Sequence, residues 1–182
     1  SGTFKGAVAP GTLRDATIDV MVASAKVHAT GAAGAIGDRL TYAIDAANIA
    51  DLAAFVPAAV PRPLSGEAHV TGVLSIAPGT YGGTFDIRGQ ALRVGAYGVQ
   101  SLQGQGSLAP PAAGSRSALA DRALALDVTT TQLTLPGRAI DSAHATLSGA
   151  LSRHRLSLAL KSTNFDVALA LEYAHSRGVV HR

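Results

Sequence analysis

One unit recurs along this chain: about ten residues in which apolar positions alternate with small or polar ones, closed by a Gly- or Pro-marked turn. Leu156, Leu158 and Leu160 alternate with Ser157, Ala159 and Lys161. Phe165, Val167, Leu169 and Leu171 then alternate with Asp166, Ala168, Ala170 and Glu172. A period of two sends successive side chains to opposite faces of a strand, so such a chain builds a sheet with one apolar and one polar face. Few other folds accept that pattern.

The apolar mass is aliphatic. Hydrophobic residues are 47% of the 182, but aromatics only 4%, with no Trp. Charged residues, at 15%, fall below the roughly 25% of an ordinary soluble domain, so the polar face leans on Thr, Ser, Asp and Gln. The formal charge of +3 is spread out, with no Lys/Arg run interleaved with aromatics, which argues against nucleic acid as a partner. With no Cys, disulfides and thiolate metal sites are excluded. No apolar run reaches the ~18 residues of a membrane-spanning helix, and no signal peptide opens the chain. The chain starts mid-pattern without Met, and is read as a piece of something longer.

Walking the pattern predicts about nine or ten strands and very little helix. Ala16 to Thr30 forms the first block. There Ile18, Val20 and Val22 hold one parity and Ala25, Val27 and Ala29 the other, which either a β-bulge or a turn produces. Arg39 to Ile49 follows, then a short helical turn from Asp51, capped by Asn48 or Asp51. Pro57, Pro61 and Pro63 interrupt regular structure. Ala68, Val70, Gly72, Leu74 and Ile76 alternate up to Pro78-Gly79. Phe85 and Ile87 resume after Gly82-Gly83, with Leu92 and Val94 on shifted parity. Tyr97 to Leu108 is a strand, and a Pro/Gly/Ala/Ser connector is expected near residues 109–119. Leu124, Leu126 and Val128 switch to Leu133 and Leu135, again by a bulge or turn near Thr130. Ile140 to Leu151 and Arg155 to Ser162 pair across Ser152-Arg153-His154, and Phe165 to Tyr173 ends the series. Short connections between consecutive strands make an antiparallel meander.

Asp51-Leu-Ala-Ala-Phe-Val-Pro, then Leu64-Ser-Gly and Val70-Thr-Gly-Val-Leu, resembles the repeating texture of the TamB family. Ala143-His-Ala-Thr-Leu-Ser-Gly-Ala-Leu-Ser-Arg-His-Arg-Leu-Ser-Leu-Ala-Leu is similar to a hairpin that recurs in that family. The resemblance runs over roughly residues 2–172 and rests on the order of the motifs. It implies an all-β fold: a long antiparallel meander curled into an open, taco-like trough, itself part of a larger sheet. It also implies a periplasmic location within an inner-membrane-anchored protein. Along the apolar groove, phospholipid acyl chains would pass between inner and outer membrane. The implied protein partner is an Omp85-type outer-membrane barrel like TamA, in support of outer-membrane protein assembly.

Residues of one strand parity are then the candidate lipid-groove residues: Val70, Leu74, Ile76, Phe85, Ile87, Leu156, Leu158, Leu160, Phe165, Val167 and Leu169. Fluid hydrocarbon needs no shape-matched aromatic partner. The second reading is a self-packed β-sandwich, or a module that pairs its edge strand with a partner protein.

Motifs for chemistry are sparse, and the expectation is a protein that is not an enzyme, with no cofactor and no metal. Gly104-Gln-Gly106-Ser-Leu-Ala loosely fits a dinucleotide fingerprint, but Pro110-Pro111 falls where the helix would begin, so these glycines mark a turn or a close backbone approach. His28, His69, His144, His154, His175 and His181 are dispersed without metal-site spacing and read as surface residues. Asp19, Asp45, Asp86, Asp127 and Asp166 fall mostly on polar strand faces. The last thirteen residues, Ala170 to Arg182, resemble the catalytic-loop entry of bacterial Ser/Thr protein kinases. The chain stops before the catalytic Asp position and lacks the glycine-rich loop, strand lysine and Asp-Phe-Gly, so no kinase activity resides in it. Coincidence, a junction in an assembled sequence and a fusion each account for that tail, read as residues 173–182.

Overall fold

The protein is seen in a computed structural model that describes residues 1–55, 57, 59–77, 80–109, 122–150 and 152–174. The strands are β1 (Gly2–Ala9), β2 (Thr12–Val22), β3 (Ala25–Ala33), β4 (Leu40–Ala46), β5 (Leu64–Ala77), β6 (Thr80–Val94), β7 (Tyr97–Leu108), β8 (Ala123–Leu135), β9 (Arg138–Ala150), β10 (Arg153–Ser162) and β11 (Phe165–Ala174). All eleven form one sheet in chain order. Every pairing is antiparallel. The sheet does not close: β1 and β11 each have a single neighbour. The antiparallel meander is what the alternation and the turn spacing predict, and its openness is what the family resemblance implies.

A 3-10 helix at Ile49–Phe55 joins β4 to β5 and packs against β3 and β5. Asn48 caps it, its side-chain oxygen accepting the Ala50 amide at 3.1 Å. The sheet has no second layer among the described residues. No large side chain there is fully buried. The accessible surface is 11829 Å², against about 8,100 Å² for a compact chain of this mass. A sandwich would hide both inner faces, and this sheet hides neither completely.

What bends the sheet is a line of irregular residues crossing neighbouring strands at one level. Gly66 in β5 has φ 105° and lies against Ala91 of β6, itself at φ 49°. Gln132 in β8 repeats the left-handed backbone at φ 48°. It sits between the pairs Val99↔Leu133 and Ser101↔Thr131. Across Gly66 the register shifts, Ser65 pairing with Arg93 and Glu67 with Gln90, so β6 carries one extra residue and its parity flips; such a bulge bends a strand. A Cβ on Gly89 would collide with the Leu92 side chain, so the apolar residues on both sides of the bend share a face. The sheet thus curls about a line that runs across its strands.

Several expected boundaries move. The parity switch between Val22 and Ala25 is the two-residue hairpin of Ala23 and Ser24, whereas the switch near Thr130 falls inside a continuous β8, at the left-handed Gln132, with the register to β7 and β9 unshifted. β1 precedes the expected first block, and Gly82-Gly83 lies within β6 rather than before it. The β9–β10 hairpin is tighter than expected, with Arg153 and His154 already paired to Ala150 and Gly149. β11 continues through Tyr173 and Ala174, so the described start of the kinase-like stretch is strand. Apart from Ala109, the connector expected near residues 109–119 lies outside the described residues, as do residues 175–182 of the tail.

Candidate functional site

In an antiparallel sheet, residues directly opposite share a face, so register converts alternation into rows. One row crosses all eleven strands: Gly2, Val20, Val27, Ile44, Val70, Ile87, Gly104, Val128, Ala145, Leu158 and Leu169. Its neighbour is Phe4, Ile18, Ala29, Tyr42, Gly72, Phe85, Gly106, Leu126, Leu147, Leu156 and Leu171. Neither row contains a charge. At about 4.8 Å per strand, each row runs roughly 48 Å.

Glycines let this face shelter itself without a covering layer. Phe85 lies over Gly106, where a Cβ would strike the ring, and Tyr42 lies over Gly72 in the same way. A Cβ on Gly104 would sit 3.0 Å from Ile87 Cγ2 and 3.2 Å from Val128 Cγ2. Large side chains thus fold down onto the bare backbone of the next strand. Burial pushes the Tyr42 phenol pKa up, and the Asp86 carboxylate adds to it, so this polar group stays neutral on the apolar face. Shelter fades toward the edges: Leu156 is 37% exposed, Leu169 52% and Leu171 61%.

The opposite face carries the polar rows. Asp19, His28, Thr71, Asp86, Gln105, Asp127 and Thr146 belong to one of them. Cross-strand pairs lace it together: His28 Nδ1 with Asp19 at 2.6 Å, His144 Nε2 with Asp127 at 3.0 Å, and His69 with Asp45. Arg155 bonds Glu172 and holds its carboxyl below the usual range. Asp45 and Asp166, opposite His69 and Lys161, join Asp19, Asp86 and Asp127 on this face. Among the described residues, no group of three or more His, Cys, Asp or Glu is arranged to hold a metal ion. Gly104 and Gly106 lie inside β7 beneath apolar side chains, which is the close-approach reading of that motif.

All the proposed groove residues come to the apolar face. Val70, Phe85, Ile87, Leu156, Leu158 and Leu169 lie on the two central rows; Leu160 and Val167 form one flanking pair, Ser162 and Phe165 the next. Leu74 opposes Gly83, and Ile76 opposes Tyr81. The alternation alone left Val20, Val27, Ile44, Val128, Leu126 and Leu147 unassigned. Their parity carried the same signal, but only register shows that β2–β4 and β8–β9 extend the same face. His154 differs from the surface histidine expected: it is half-buried on the apolar face and stacks on Tyr173 with ring centroids 5.1 Å apart.

The fold and this face define a class: a single-layer, open antiparallel sheet whose one side is apolar from edge to edge. Comparison with protein-family models, curated proteins and solved structures finds no match for the chain.

Proposed function

We propose that this chain is a lipid-conducting segment of a bacterial envelope protein, in which the apolar face holds phospholipid acyl chains. The observation that carries the reading is the pair of charge-free rows crossing all eleven strands with no second layer over them among the described residues. Each methylene laid on such a face gains about 0.8 kcal/mol. A bilayer's hydrocarbon is about 30 Å thick, so one acyl chain spans about 15 Å and a row of this length takes about three end to end. A continuous row of this kind favours sliding along the groove over tight capture at one point. The setting between inner and outer membrane, and a TamA-like barrel as partner, rest on the resemblance of residues 2–172 to the TamB family.

The test is to purify the chain in mild detergent and analyse its organic extract by mass spectrometry. Phospholipid in near-stoichiometric amount is the expected result. Leu158→Arg, which puts a cation into the central row, is expected to cut retained lipid about tenfold, the equivalent of two lost methylene contacts. A folded, β-rich chain that carries no lipid would overturn the reading and turn attention to a protein partner.

A further inference from the structure

Among the described residues, three buried side-chain polar atoms lack a hydrogen-bond partner: Arg122 Nη2, Thr130 Oγ1 and His154 Nδ1. Thr130 and His154 lie on the apolar face, opposite Leu102 and Gly149 respectively. Arg122 precedes β8 by one residue and shares the parity of Leu124 and Leu126, the apolar one. Its guanidinium lies over the Tyr81 ring, 5.0 Å from the centroid, and Tyr81 opposes Ile76 on that same face. Arg122 is only 6% exposed. Its Nε donates to the Ala109 carbonyl at 2.7 Å, and none of the ion pairs among the described residues includes it.

A buried guanidinium stays charged, and leaving one without an anion is among the more expensive arrangements a protein holds. The adjoining row of the apolar face is aliphatic: Leu74 opposes Gly83, Gly83 opposes Leu108, and Leu108 opposes Leu124. An anion joined to hydrocarbon satisfies both halves of such a place. The planar fork of an arginine matches two oxygens of a phosphate. The geometry points to Arg122 as the anchor for the phosphate of a phospholipid whose acyl chains lie on the adjoining rows, an inference that rests on the lipid-groove reading. The hydrocarbon would extend from Leu124 toward the central rows while the phosphate stays at the lip. His154, about 10 Å from Leu124 across two strands, offers a second polar group along that lip.

The experiment loads the full chain from detergent micelles containing either phosphatidic acid or diacylglycerol of the same acyl composition, repurifies it, and counts bound lipid by mass spectrometry. Wild type is expected to retain phosphatidic acid about tenfold over diacylglycerol, as charge-assisted bonds to one phosphate allow. Arg122→Gln is expected to remove that excess and leave diacylglycerol retention unchanged, while Arg122→Lys keeps most of it. Equal retention of both lipids by wild type, or an unchanged excess in Arg122→Gln, overturns the anchor and leaves the groove standing. Retention of neither lipid by wild type overturns both. If Arg122→Gln loses both lipids through misfolding, Arg122→Lys decides: a preserved excess supports the anchor, and parity between the lipids overturns it. Displacement of phosphatidic acid by inorganic phosphate would make this a free-phosphate site and overturn the lipid assignment.

Discussion

At the scale of single residues, small side chains do the work that a second layer does in most β proteins. Gly106 and Gly104 sit two residues apart in β7 on the same face, yet their surroundings differ. A Cβ at Gly106 would enter the Phe85 ring, which has to swing away, whereas at Gly104 two methyl groups need give only a few tenths of an ångström. Gly106→Ala is therefore expected to lower stability by about 1–3 kcal/mol, and Gly104→Ala by clearly less. Urea unfolding of the two variants checks the order, and equal losses would mean that Phe85 does not lie on Gly106. Charge acts locally as well. Asp38 accepts the Ala35 amide at 2.7 Å and pairs with Arg14 at 2.5 Å, and the amide above all holds its carboxyl below the usual range. A carboxyl depressed in the folded state adds stability above its unfolded value of about 4, and that stability is lost as pH falls through the lower folded value. Wild type should thus lose more stability than Asp38→Asn between neutral pH and about pH 3. Identical acid profiles would show that the contact carries no pH dependence.

At the scale of strands, alternation made the strands and their common face legible in the sequence, but not how a parity switch is achieved. A two-residue hairpin and a single left-handed residue inside a strand shift parity alike. Ala23-Ser24 and Gln132 carry neither the Gly nor the Asn that marks a left-handed backbone, so nothing in the letters separated them. β1 stayed hidden because Gly2, Gly6, Ala7 and Ala9 dilute its two large apolar residues, Phe4 and Val8. Of the groove, the leucine-rich β10 and β11 stood out, while Gly104, Gly106 and Ala145 mask the continuity that register supplies. Arg122 was out of reach for another reason: its neighbour Tyr81 is distant in sequence, and no local pattern joins them. The left-handed backbone at Gln132 is itself testable. Left-handed backbone costs an ordinary L-residue roughly 1–2 kcal/mol and a β-branched one more. Gln132→Val is expected to destabilise β8 by about 1–2 kcal/mol, and Gln132→Gly to be neutral or stabilising. Thermal unfolding distinguishes them. Equal behaviour of the two variants would place the bend elsewhere.

For the whole molecule, the decisive property is that the sheet ends twice without closing. Each strand pairs only with its sequence neighbours, so contacts run between adjacent strands, and among the described residues no pairing joins the two ends. The final strand is the more vulnerable end. β11 is exposed from Asp166 to Tyr173 and presents Val167, Leu169 and Leu171 on one side and Ala168 and Ala170 on the other. An unpaired, regular, weakly charged edge is a template for another strand. Among its polar-face positions, only Asp166 and Glu172 carry charge, and Arg155 already engages Glu172. The isolated chain is therefore expected to self-associate with rising concentration through its edges. Lysines at Ala168 and Ala170 face away from the groove, so they should blunt the edge without touching the apolar rows. Light scattering of the double variant Ala168→Lys, Ala170→Lys is expected to show markedly less association at equal concentration, with an unchanged β-sheet circular dichroism spectrum and unchanged lipid retention. If association persists while Leu158→Arg abolishes it, the contact runs through the apolar face instead, and copies of the chain cover each other's grooves rather than extend each other's sheets.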